Sequence, residues 1–156
     1  MKSVFLFIVF TLLNFNFLIE KSLYYDILES GSIEEIDDMI LKLEKEKTSP
    51  LNLAYKGTLI AKKASFIKNA KTKISLFKSG IKLLENEIYI TPSEVEYRFL
   101  RLAIQEKCPK LLKYNKNLNE DRDVILAGFS KLRKDLKKII FDYSKNSDVL
   151  ISSTLK

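Results

Sequence analysis

The chain contains no histidine, a single cysteine (Cys108), four glycines and three prolines in 156 residues. Without histidine there is no imidazole to act as general base, and neither a Ser-His nor a Cys-His nucleophile pair can be assembled. One cysteine cannot close a disulfide within the chain, and no Cys/His zinc set can be built around it. So few glycines and prolines argue against a turn-rich β-sandwich and for helices joined by few breaks. What is abundant is Leu, Ile, Lys and Glu, the residues that helix propensity favours. Hydrophobic residues at 46% and charged residues at 30% fit one ordinary globular domain.

The first twenty residues differ from the rest. Lys2 gives a positive start, and Val4 to Ile19 form an apolar run interrupted only by Thr11, Asn14 and Asn16. This is the pattern of a secretory signal peptide. No small-x-small triplet lies near residues 16–25, so an uncleaved anchor stands as the alternative; Ser3 to Ile19 is at the short end of what spans a hydrocarbon core of about 30 Å. Residues 1–20 are therefore predicted to be a signal peptide or N-terminal anchor. A helical-repeat-like domain is predicted over 21–145 and a weakly ordered tail over 146–156.

Capping signals divide the remainder. Ser32-Ile33-Glu34-Glu35 reads as a capping box, with Gly31 ending a short helix over 23–30 in the left-handed conformation. Ile36, Met39, Ile40 and Leu43 then repeat at helical spacing. Thr48-Ser49-Pro50 marks the next start, with Pro50 suited to the first helical position. That helix carries Ala54, Tyr55, Leu59 and Phe66, and a second apolar run, Ile74 to Ile88, follows a turn near 68–71. Thr91 is predicted to cap the next helix, with Pro92 at its first position and Glu94 completing the box. That helix should run through Val95, Phe99 and Leu102 to Cys108-Pro109. The Asn-rich stretch 114–119 reads as a loop whose Asn119 caps the last helix. Ile125 to Tyr143 keep one apolar stripe over about five turns, which predicts a long closing helix. The fold class expected is all-α, with helices paired as antiparallel hairpins.

Several features are candidates for function. Residues 20–46 hold nine acids and three lysines, whereas 47–82 hold nine lysines and no acid. The lysine run is either a docking face for an anionic partner or a solvated face lying against the acidic segment. Nucleic acid is not an expected partner, because the net charge is only +7 and lysines outnumber arginines 23 to 4, where phosphate and base recognition favours arginine forks. Arg98, Arg101 and Gln105, at i, i+3 and i+7, share one helical face, and Glu94 can pair with Arg98. With Tyr97 they form a candidate partner-binding patch, to which Tyr114 and Asn115 of the Asn-rich loop are added. Cys108 reads as a packed small side chain. Adjacent acids (Glu34/Glu35, Asp37/Asp38, Glu120/Asp121) would serve glycoside hydrolysis only if set across a cleft. No catalytic residue, cofactor or metal site is expected.

Gly80, Leu84 and Pro92 lie at the spacings that tetratricopeptide repeats give to a small residue, a large apolar residue and a proline. Phe99, Leu102 and Ala103 resemble the opening of that family's first helix. The resemblance covers about one repeat, residues 74–106, with Glu87 standing where the family prefers a small residue, and it implies a right-handed helical array. The segment Tyr97 to Gln105 followed by Tyr114-Asn115-Lys116-Asn117 also resembles small exported helical proteins of Bacteroidetes-type bacteria, which implies a Gram-negative periplasm or cell envelope. The function expected is a non-catalytic exported module binding a protein or peptide partner. The alternative is a structural or accessory envelope protein without a ligand groove, touching the membrane only through its N-terminal segment.

Overall fold

Ser32 and Glu35 close the expected capping box: the Glu35 amide donates to Ser32 Oγ at 3.2 Å, and the Ser32 amide donates to Glu35 Oε2 at 2.8 Å. The computed structural model describes residues 21–109 and 112–155, so the expected leader over 1–20 lies outside the described residues. Within them every regular element is helical. A first helix, α1, covers 21–30. It is followed by α2 (Ile33–Lys45), α3 (Pro50–Lys63), α4 (Ala70–Ile90), α5 (Val95–Lys107), α6 (Leu118–Gly128) and α7 (Lys134–Ser144), with short 3-10 turns at Ala64–Phe66, Phe129–Lys131 and Ser152–Thr154. Among the described residues no helix is long and apolar enough to cross a membrane.

Each helix start has a local cause. Pro50 occupies the first position of α3, where its missing N–H costs nothing, and Ser49 Oγ accepts the Asn52 amide at 3.1 Å. Asn69 caps α4 by accepting the Thr72 amide at 3.0 Å. Helices α3 and α4 make the most extensive contact in the fold, and α5 packs on α6, α3 and α4. The α3–α4 approach needs glycine on both sides. A Cβ on Gly80 would lie 2.5 Å from the Gly57 carbonyl oxygen and 2.6 Å from the Ala61 nitrogen; one on Gly57 would lie 2.7 Å from the Gly80 carbonyl oxygen. The core built on this contact includes Leu59, Leu84, Phe99, Leu102, Ile125 and Ile140, each at most 1% exposed.

Five sequence expectations are corrected. Gly31 does end α1, but without a left-handed backbone, since no described glycine has a positive φ. A side chain there would instead strike Ile27, whose carbonyl accepts the Gly31 amide at 2.9 Å. Thr91 closes α4 rather than opening α5: its amide continues the ladder to Glu87 O at 2.9 Å, and Glu94 is the residue that caps α5. The cap of α6 falls at Asn117, two residues before Asn119. The long closing helix is two helices. Beyond Gly128 the chain tightens into a 3-10 turn and extends at Leu132 and Arg133 before α7 begins. Gly128 lies so close to the Val95 side chain that a Cβ would collide with it, which brings the end of α6 onto the start of α5. The apolar stripe survives because the break happens to return Leu136 and Ile140 to the core. Finally, the tail is tied down over 147–150. Glu106 accepts from Ser147 Oγ (2.8 Å to Oε2) and from the amides of Asp148 and Val149 (3.0 and 3.2 Å), and Leu150 is fully buried.

Candidate functional site

The face of α5 singled out by its spacing is brought together, but inward. Tyr97, Arg98, Arg101 and Gln105 are all buried. Asp121 on α6, itself fully buried, organises the two arginines. Arg101 forks onto it with Nε 2.8 Å from Oδ2 and Nη2 2.6 Å from Oδ1, while its Nη1 reaches Glu85 Oε2 of α4 at 2.9 Å. Arg98 donates to Asp121 Oδ1 at 3.1 Å, to Glu120 Oε1 at 2.6 Å and to the Pro92 carbonyl at 2.7 Å, so Glu94 is not the partner that its i, i+4 spacing suggested. Tyr114 completes the network by donating to Glu85 Oε1 at 2.5 Å. Burial alone would lower the Arg101 guanidinium, but its hydrogen bonds to Asp121 and Glu85 outweigh that and raise it. The donors are consumed inside the protein, and what they hold is α4, α5 and α6. Of the six candidates only Asn115 is exposed.

A second buried cluster surrounds Glu96, which no sequence signal singled out. Its carboxylate accepts from Lys21 Nζ at 2.8 Å, from the Tyr25 hydroxyl at 3.1 Å and, at very short range, from the Tyr55 hydroxyl. Tyr24 stacks on Tyr55 with centroids 3.7 Å apart and shares a short hydrogen bond with Thr58. Burial, then the neighbouring Glu96 charge, push the Tyr25 and Tyr55 hydroxyls far above their ordinary value. Held neutral, they keep the protons that they donate to Glu96.

The third feature is a partly open cavity of about 920 Å³ lined by α1, the end of α3, α4, α5 and α7. Leu28, Phe77, Phe99, Ile104, Leu112 and Ile139 supply its apolar wall. Ligand sites of such size and lining are where small molecules bind. Charges gather at its rim. Lys62 Nζ donates to the Glu29 carbonyl at 3.0 Å, and Lys107 Nζ lies 5.9 Å over the Tyr143 ring. Burial first and the Lys107 charge second lower the Lys62 ammonium, with Glu29 working the other way. Cys108 lines the same space, and burial pushes its thiol up, away from the nucleophilic thiolate.

No family model, curated protein or solved structure matches this chain.

The three constellations differ in what they leave open to a ligand. Two of them, around Asp121 and Glu96, have their charged groups satisfied internally and act as struts, and Gln105 Oε1 is left as a buried oxygen without a partner among the described residues. Among the described residues no group of three or more His, Cys, Asp or Glu side chains is arranged to hold a metal ion. The cavity is the one of the three with unfilled space. Sequence reasoning missed it because its walls come from five helices, and the only trace in the chain is small residues, Ala61, Ala64 and Ala103, where larger ones would fill it.

Proposed function

We propose that this chain is a non-catalytic binding module that holds a ligand with a hydrocarbon body in the cavity between α1, α3, α4, α5 and α7. The observation that carries this reading is the cavity itself, about 920 Å³ with Leu28, Phe77, Phe99, Ile104 and Ile139 beside its charged side chains, since a fold that needs only stability fills such space to native density. The expected protein or peptide partner rested on Tyr97, Arg98, Arg101 and Gln105. Their burial moves the site of binding to the cavity. The cavity also favours a binding role over a purely structural one. The cell envelope of a Gram-negative bacterium remains the proposed setting, on the apolar run at 4–19. The same proposal includes a tetratricopeptide-like array of antiparallel hairpins. It is supported at α3 and α4, where Gly80 faces both Gly57 and Ala61 while Gly57 faces Leu84.

The test is a solvatochromic apolar dye titrated into the purified protein. Wild type should bind it saturably. Ala103→Phe, which pushes a ring into the cavity from α5, should abolish binding while circular dichroism stays unchanged. Absence of a saturable site, or equal binding by a folded Ala103→Phe variant, would defeat the proposal.

A further inference from the structure

The distribution of charge around the cavity specifies more than an apolar guest. Eight ionisable side chains other than Tyr25, Tyr143 and Cys108 line it: Lys62, Lys73, Lys107 and Lys138 against Asp26, Glu29, Asp135 and Asp142. The two acids from α7 are already engaged. Asp142 is clamped between Lys138 at 2.5 Å and Lys145 at 2.6 Å, and Asp135 takes Arg133 at 3.0 Å. Asp26 adds to the attraction felt by Lys138. Lys62, Lys73 and Lys107, which line the same space, have no carboxylate within ion-pair distance among the described residues. Lys62 is satisfied only by a backbone carbonyl and Lys107 only by a ring face. Glu29 attracts Lys62, and that attraction is outweighed by burial and by the repulsion from Lys107. Two ammonium groups that repel each other at the mouth of an apolar space are stabilised by an anion set between them.

The inner wall decides what kind of anion. A peptide entering the cavity would bring an N–H and a C=O with each residue, and each needs a partner once it leaves water. The wall offers few. The Tyr25 hydroxyl is committed to Glu96 and the Tyr143 hydroxyl to Glu106 at 2.6 Å; Ser22, Ser65 and Asn146 are the other neutral side chains with N or O atoms in the lining, beside the apolar Leu28, Phe77, Phe99, Ile104 and Ile139. A hydrocarbon chain asks for no such partners and gains about 0.8 kcal/mol for each methylene removed from water.

We infer that the cavity binds a single-chain anionic amphiphile, such as a long-chain carboxylate, with its head group between Lys62 and Lys107 and its hydrocarbon chain against Phe77, Phe99 and Ile104. This rests on the proposed binding role of the same cavity and adds the class of ligand. The head group stays at the rim, where Lys107 is exposed, and the chain runs inward.

The experiment compares palmitate with the alcohol and the trimethylammonium amphiphile of the same chain length. Each displaces the apolar dye from the full chain, below its micelle-forming concentration. Palmitate should bind about tenfold tighter than the alcohol, the worth of one charge-assisted hydrogen bond. Lys62→Met with Lys107→Met should erase that difference and leave the alcohol unchanged; both side chains reach the surface, so folding should survive. Equal affinity of palmitate and alcohol in the wild type, or preference for the cationic amphiphile, would overturn the head-group assignment while leaving the binding module standing. Failure of every amphiphile to displace the dye would overturn the ligand class. Failure of the dye itself to bind would remove the binding role as well.

Discussion

Lys21 Nζ lies 2.8 Å from Glu96 Oε2, with both side chains only 8% exposed, so residues 75 apart in sequence form a buried ion pair between the first described residue and the first turn of α5. A pair of this kind is costly to break from one side, because the surviving charge stays in low dielectric without the carboxylate. Glu96→Gln keeps the shape but turns an acceptor towards an ammonium into a donor. It should cost about 3–5 kcal/mol in urea unfolding. Lys56→Met, which breaks the surface pair with Glu44 at 2.6 Å, should cost no more than about 1 kcal/mol. Equal effects at the two sites would mean that water reaches Glu96.

The Asp121 network makes a second prediction of the same physics with a different geometry. Asp121→Ala leaves two guanidinium groups facing each other inside the protein, and about 3–5 kcal/mol should be lost. Arg101→Met added to Asp121→Ala should cost much less than the sum of the two single changes, since the second substitution removes the charge that the first one stranded. A double-mutant cycle by urea denaturation reads this directly. Additive losses would mean that Arg101 and Asp121 are not coupled.

Glycine to alanine inside a helix ordinarily stabilises, by up to about 1 kcal/mol. At Gly80 the sign should reverse. The new methyl would sit 2.5 Å from the Gly57 carbonyl oxygen and 2.6 Å from the Ala61 nitrogen, and these are backbone atoms that cannot swing away. Forcing α3 and α4 apart should cost about 1–3 kcal/mol, as overpacking does elsewhere. A thermal midpoint that rises in Gly80→Ala would rule out the close crossing.

These sites divide what the sequence reveals from what it hides. The capping box at Ser32–Glu35 and Pro50 behind Ser49 depend on four neighbouring residues, so both were readable and both are present. The spacing of Arg98, Arg101 and Gln105 correctly put them on one face of α5. Which way that face points depends on Asp121, 20 residues beyond Arg101, and charged side chains are so rarely buried that exposure was the natural expectation. Glu96 is hidden for the same reason: its partners come from positions 21, 25 and 55. The break at Gly128 escaped because five residues of turn and extended chain left the apolar stripe in phase.

Buried tyrosines give the fold a characteristic response to alkali. Burial raises the hydroxyls of Tyr24, Tyr25, Tyr55, Tyr114 and Tyr143 far above the ordinary 10.0, with Glu96, Glu85 and Glu106 adding to it as neighbouring carboxylates, and Tyr97 is raised as well. The folded values lie above the unfolded one, so this stability is whole below pH about 10 and falls as pH rises past it, where the unfolded chain releases protons that the folded chain keeps. In a spectrophotometric titration of phenolate absorbance these six should ionise together, in step with loss of helical circular dichroism. Tyr55→Phe removes one donor from Glu96 and one ionisable group, and should shrink the amplitude of that step. Independent ionisation of the six, spread over several pH units while the helices persist, would show that the ring cluster around Glu96 is open to solvent.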